Sequence, residues 1–175
     1  MKKLLLLTSV LAWISGASAE EKPKLIVGVV ISHFYPEWMD MYGNELSENG
    51  LKRVMKQGAR VNVNYNYFYT QTGVDHASIY TGMLPTEHGI VSRAWYDRLR
   101  RKRQYSTQSD RYTEIGDQQA DSIKSLSPDY LQTMSLGSAM KWNNPMSRVF
   151  SVAMNGDEAV LSGGSSADMA IWFSE

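Results

Sequence analysis

The segment from Val61 to Gly82 constrains this chain more than any other. Val61, Val63, Tyr65 and Tyr67 alternate with Asn62, Asn64 and Asn66, the period-two pattern of a half-buried strand. The chain then passes Thr72 and enters a short amphipathic stretch (Ala77, Ile79, Tyr80) that reads as a helix closed by Gly82. A hydroxyl at a strand-to-helix turn sits where free backbone N–H groups and the helix dipole attract anions. Taken alone, Thr72 reads first as an ordinary helix cap, and it is the whole string around it that shifts the balance.

The rest of the sequence supports an alternating architecture. Leu25 to Ile31 is a near-continuous apolar run, as expected for a strand buried on both faces of a parallel sheet. Pro36 opens one helical segment carrying Trp38, Met39 and Tyr42, and a second runs from about Ser47 to Gln57 with Gly58 as its stop. The β-α-β-α order predicts an α/β fold with a doubly wound, mainly parallel sheet and helices on both faces. Ser127-Pro128-Asp129 predicts a helix start, with Leu131, Met134 and Ser138 on one face, and Ser147 to Met154 predicts another core strand. Arg98 to Arg103 is a basic run whose plainest reading is a solvated hairpin tip.

The first nineteen residues read as an export signal: Lys2 and Lys3, an apolar core from Leu4 to Ile14, and Ala17-Ser18-Ala19 before Glu20. The domain division expected is therefore 1–19 as signal peptide and 20–175 as part of one α/β domain. The apolar stretch is short for a membrane span, so no stable anchor is expected; the export signal leads to an expected periplasmic location. Removing two lysines leaves the 18 acidic residues in slight excess, which argues against nucleic acid as a partner. The chain has no cysteine, which excludes disulfides and thiolate metal sites. Ala170-Ile171-Trp172-Phe173 starts an apolar, strand-like run just before Glu175, so an incomplete sheet and a fragment or truncated product are expected, with a tendency to associate.

Thr72, His76, Ser78, Ile79, Thr81, Gly82, Pro85, His88, Gly89 and Ile90 together resemble the nucleophile segment of the alkaline phosphatase superfamily, in its nucleotide pyrophosphatase/phosphodiesterase-like branch. The likeness is greatest to periplasmic bacterial alkaline phosphatases with a threonine nucleophile. Lys22 to Ile31 resembles the first core strand of that family, Gly50 to Gly58 the next helix, and Trp95-Tyr96-Asp97 the segment after the nucleophile helix. The resemblance implies metal-dependent hydrolysis of phosphate mono- or diesters, two zinc ions, a phosphate-ester small molecule as substrate, and Thr72 as the nucleophile.

It also implies departures. The family's first metal-binding aspartate falls at Ile31-Ser32-His33, where no carboxylate stands; Ser32 and His33 are the residues near the vacated position. The family's phosphate-binding asparagine corresponds to Arg93, which can also bind phosphate. A Lys-Asp-Arg triplet corresponds to Asn155-Gly156-Asp157, which puts an acid where a cation would meet the phosphoryl group. His76 and His88 match positions that shape the nucleophile loop. If the family geometry holds, Thr72 is partly exposed at a helix start, Arg93 is close enough to share an anion with it, and Ser32 faces the vacated metal position. The alternative is a non-catalytic relative that keeps the fold and binds an anion or a protein partner.

Overall fold

A computed structural model describes residues 23–109, 111–112, 115 and 125–173. The expected export signal at 1–19 lies outside the described residues. Among the described residues no helix is long and apolar enough to cross a membrane. The chain divides into two compact units, one ending at Val61 and the other beginning at Asn62.

The first unit holds two short helices, α1 (Glu37–Tyr42) and α2 (Leu51–Gln57). Both fall inside the stretches expected to be helical. Pro36 precedes α1, where its fixed φ suits a helix start, and Gly58 ends α2 with its N–H on the Val54 carbonyl at 2.8 Å. Glu48 receives Lys52 at 2.5 Å and Lys56 at 2.9 Å. Those ammonium groups hold its carboxyl down to about 2. Leu25 to Ile31, expected as a core strand, has no ladder partner among the described residues, and Leu25 is 78% exposed. An apolar run of this kind becomes a strand only when neighbours take up its N–H and C=O groups and cover both its faces. Val61 to Tyr67 differs from expectation in the same way.

The second unit begins at α3 (Thr72–Thr81), closed by Gly82 in the left-handed region at φ 69°. The expected stop is therefore realised, because glycine alone enters that region without a Cβ penalty. A short helix, α4 (Pro85–His88), follows, with proline at its start and the Glu87 carboxylate accepting the Leu84 N–H at 2.9 Å. Then β1 (Ala94–Asp97) and β2 (Lys102–Tyr105) pair antiparallel. Arg98 to Arg101 of the basic run form the tip of this hairpin, and Lys102 and Arg103 enter β2. Asp97 Oδ1 accepts from the Leu99 and Arg100 N–H groups at 2.9 and 3.0 Å and so folds the turn.

Ser127-Pro128-Asp129 does not start a helix. The Leu131 N–H closes one turn onto the Pro128 carbonyl, but the Gln132 N–H goes to His88 O at 3.0 Å and pulls the chain out of helical register. Helix α5 (Leu136–Asn143) starts at Ser135 instead, whose Oγ accepts the Ser138 N–H at 3.2 Å. After it, β3 (Phe150–Val152) pairs in parallel with β4 (Met169–Ile171), and α6 (Gly156–Gly163) makes the connection between them. This is a βαβ unit; β3 falls within the expected Ser147–Met154 segment, and β4 starts one residue before the expected Ala170–Phe173 run and overlaps it.

Asp168 fastens the β3–β4 end of the unit to α5. Its carboxylate accepts from Lys141 at 2.8 Å, from the Val149 N–H at 2.8 Å and from Arg148 at 2.9 Å, which holds the acid well below the usual carboxylate range. The core lies between α3 and α6: Val74, Ala77, Ile90, Val160 and Leu161 are buried, with Tyr67, Leu126, Tyr130, Leu131, Ala170 and Trp172 packed around them.

Candidate active site

Helix α3 buries Val74, His76, Ala77 and Ser78 and leaves Thr72, its first helical residue, exposed. The helix start expected at Thr72 is thus realised with Thr72 itself as the first helical residue. Residue 71 holds the N-cap position in an extended conformation, φ −143° and ψ 145°, but its side chain makes no bond to the helix it precedes. The Gln71 carboxamide reaches across to another loop. Its Oε1 accepts from the Arg93 N–H at 2.8 Å and from the Ser92 hydroxyl at 3.1 Å, while its Nε2 donates to the Tyr69 hydroxyl at 3.0 Å.

Arg93 is held from both sides of its peptide, because its carbonyl accepts the Ser106 N–H at 2.9 Å. Its side chain is 75% exposed and sets Nε 3.4 Å from Asp157 Oδ2. Asp157 stands in the first turn of α6 and also accepts a hydrogen bond from the Thr107 hydroxyl. Glycine at 73 lets the two helix starts meet: a Cβ built there would lie 3.9 Å from Asp157 Cβ and 3.3 Å from Leu161 Cδ1. Thr72, Arg93 and Asp157 are therefore gathered around the first turns of α3 and α6. Gly156 is enclosed on its own side, where an added Cβ would collide with Leu126 and lie 3.3 Å from the Trp172 indole.

The two histidines of the segment are occupied by structural bonds. His76 Nδ1 is 2.8 Å from Ser162 Oγ, a link between α3 and α6, and its ring stacks on Tyr80. His88 is fully buried, with Nε2 2.9 Å from Ser78 Oγ and Nδ1 accepting the Ile90 N–H at 3.1 Å. An amide can only donate, so the neutral ring carries its proton on Nε2 and gives it to Ser78. Burial pushes both imidazoles below their ordinary range. Tyr67 donates to Asp75 Oδ1 at 2.9 Å, and burial pushes its phenol up to about 12.

The histidine geometry predicts an acid sensitivity. A depressed histidine pKa means that the unfolded chain takes up protons first. Stability should therefore fall as pH drops below about 6.5, and keep falling until the folded-state pKa is passed. Protonating His88 at Nδ1 also removes the acceptor of the Ile90 N–H. Urea unfolding between pH 7.5 and 5 should show this loss, and His88→Gln should flatten it while lowering stability at pH 7.5. An unchanged pH slope in that variant would mean that His88 does not carry the effect.

Ser32 and His33 lie in the first unit, at a turn, and both are exposed; His33 has φ 57°. Among the described residues no three of His, Asp and Glu come together in a way that could hold a metal ion. With His76 and His88 committed to serines and an amide, the donors among the described residues do not fit a pair of zinc ions. Gln71 and Thr107 escaped the sequence reading. Gln71 carries one weak signal: a long carboxamide sits where serine, threonine or aspartate would cap the helix.

The profile of the type I phosphodiesterase / nucleotide pyrophosphatase family matches residues 26–172. Alkaline phosphatase PafA of Elizabethkingia meningoseptica is 32% identical over 182 aligned residues, covering 99% of this chain and 33% of that protein. Alkaline phosphatase PhoK of Sphingomonas sp. is 32% identical over 155 residues, covering 88% of this chain and 27% of that one. The crystal structure of wild-type PafA superposes with a TM-score of 0.81 at 29% identity, over 90% of this chain and 30% of that chain. A PafA variant substituted at one threonine, one asparagine, one lysine and one arginine gives the same TM-score at 28% identity. The chain spans about a third of the length of the curated relatives it matches. Its fold is the α/β fold of these alkaline phosphatases, and the chain belongs to the type I phosphodiesterase / nucleotide pyrophosphatase family.

Proposed function

We propose that this chain carries the nucleophile-bearing and phosphate-gripping part of an exported phosphate-ester hydrolase, with Thr72 as nucleophile, Arg93 as phosphate-binding cation and an impaired site in the chain as it stands. The observation that carries this reading is the exposed Thr72 on the first turn of a ten-residue helix, with Arg93 fastened beside that turn through Gln71. The first-turn N–H groups receive no side-chain cap, so an anion approaching Thr72 meets donors, the helix dipole and a guanidinium together. Spacing supports the assignment. The four positions altered in the PafA variant are separated as Thr72, Arg93, Asn155 and Asp157 are separated here. Export rests on the Lys2-Lys3, apolar-core and Ala17-Ser18-Ala19 pattern.

Hydrolysis is a different matter from binding. Zinc, which the resemblance implies, would need several carboxylates and imidazoles per ion, and the described residues bring no such set together. Asp157 adds an opposing charge: its Oδ2, 3.4 Å from Arg93, competes with an incoming phosphate for the guanidinium. This contact favours the second reading, a relative that keeps the anion-binding site and no longer turns over.

With zinc supplied, p-nitrophenyl phosphate and bis(p-nitrophenyl) phosphate should not be hydrolysed by this chain above background. Equilibrium dialysis should detect bound inorganic phosphate, weakened about tenfold by Arg93→Ala, the size expected for one hydrogen bond to a charged group. Zinc-dependent turnover that Thr72→Ala abolishes would overturn the impaired site. Phosphate binding indifferent to Arg93→Ala would remove the site assignment itself.

A further inference from the structure

We infer that Gln71 is a positioning residue for the anion site: its carboxamide clamps the 92–93 loop to the start of α3 and so holds the Arg93 guanidinium beside Thr72. The inference rests on the reading of Thr72 and Arg93 given above and gives a function to Gln71, which entered that reading only as a contact.

Three bonds define the clamp. Gln71 Oε1 accepts two of them, from the Arg93 N–H at 2.8 Å and the Ser92 hydroxyl at 3.1 Å, and Nε2 donates the third to the Tyr69 hydroxyl at 3.0 Å. The orientation of the carboxamide is fixed by chemistry, because the Arg93 amide can only donate and must face the oxygen. The side chain is half-buried, in the residue directly before Thr72. Among the described residues this carboxamide is the acceptor found for the Arg93 N–H, and that bond ties two stretches 22 positions apart in sequence.

Length explains the choice of residue. A serine, threonine or aspartate at an N-cap turns back onto the N–H groups of its own first turn. Glutamine at 71 makes no such bond, so its reach goes to the neighbouring loop and the first-turn donors stay uncapped. The same residue thus brings the cation in and leaves the helix start open to an anion. Without the clamp, Arg93 keeps its side-chain contact with Asp157 Oδ2 and loses its tie to the residue that precedes α3.

The test measures inorganic phosphate binding by equilibrium dialysis on the full chain, with far-ultraviolet circular dichroism as a check on folding. Gln71→Met keeps the bulk and removes the bonds; it should weaken phosphate binding about fivefold or more in the parent chain. In an Arg93→Ala background the same change should cost less than about twofold, because its effect travels through Arg93. Gln71→Ser supplies a regular helix cap, so it should weaken binding while the thermal midpoint holds or rises. A fall in affinity that tracks a fall in midpoint would mark a merely structural role and overturn the clamp. So would a Gln71→Met affinity within twofold of the parent, or an equal loss with and without Arg93, and both would leave the Thr72–Arg93 reading standing. A parent chain whose phosphate binding ignores Arg93→Ala would overturn that reading and the clamp with it.

Discussion

Gly164→Ala is expected to destabilise the second unit by about 2–5 kcal/mol, read as the shift in a urea unfolding curve at constant slope. Gly164 ends α6 at φ 75° and ψ −176°, a region that side chains other than hydrogen essentially do not enter. A Cβ there would collide with Ser135 Oγ and lie 2.6 Å from Ser135 Cβ. That hydroxyl is not free to move away, since it caps α5 through the Ser138 N–H and donates to Gly163 O at 3.2 Å. Gly82→Ala is the matched control. It too has positive φ, at 69°, but a Cβ there meets nothing within 4 Å, so only the conformational cost of about 1–2 kcal/mol applies. Equal losses at the two glycines would show that the Ser135 collision is not the larger effect.

Leu161→Ala should cost a comparable 2–5 kcal/mol, by loss of buried methyl groups and the cavity left behind. Leu161 is fully buried on α6 among Val74, Ala77, Ile90 and Val160. Its Cδ1 also lies 3.3 Å from where a side chain at Gly73 would begin, so it supports the first turn of α3 directly. Phosphate affinity should therefore fall along with stability, unlike the Gln71→Ser variant, in which the two part company. Ile90→Val, in the same cluster but on the chain after α4 and on neither helix, should cost only about 0.5–1.5 kcal/mol and leave phosphate binding alone. A Leu161→Ala chain that unfolds at the parent's urea midpoint would mean that the α3–α6 seam is not the main core.

What the sequence made legible was local. Helix α3 and its Gly82 stop, the hairpin under Arg98–Arg103, and β3 and β4 each carry their own signal within a few residues: a left-handed glycine, an Asp97 turn, a short apolar strand. Where a signal needed distant partners, it misled. Leu25–Ile31 and Val61–Tyr67 have strand patterns, yet pattern makes no ladder without neighbours. Ser127-Pro128-Asp129 has the composition of a helix start, but a single bond from the Gln132 N–H to His88 O, invisible in local sequence, breaks the register. At the proposed site, Thr72 and Arg93 were singled out by a motif and its spacing. Gln71 was not, because its value lies in a contact with residues 92 and 93 that only folding brings within reach.

The βαβ unit β3–α6–β4 has a consequence in time. Phe150 pairs with Met169 across one short helix, whereas the α3–α6 seam joins residues as far apart as His76 and Ser162, 86 positions along the chain. Closing the longer loop costs more entropy, about 1.3 kcal/mol for a little over two doublings of length. The later part of the sequence should therefore assemble first and offer its α6 face as a template, with the helix that bears Thr72 docking onto it afterwards. By the same argument α3 should part from α6 before the β3–β4 pairing is lost, so the helix start that bears Thr72 should lose its setting ahead of the small parallel sheet.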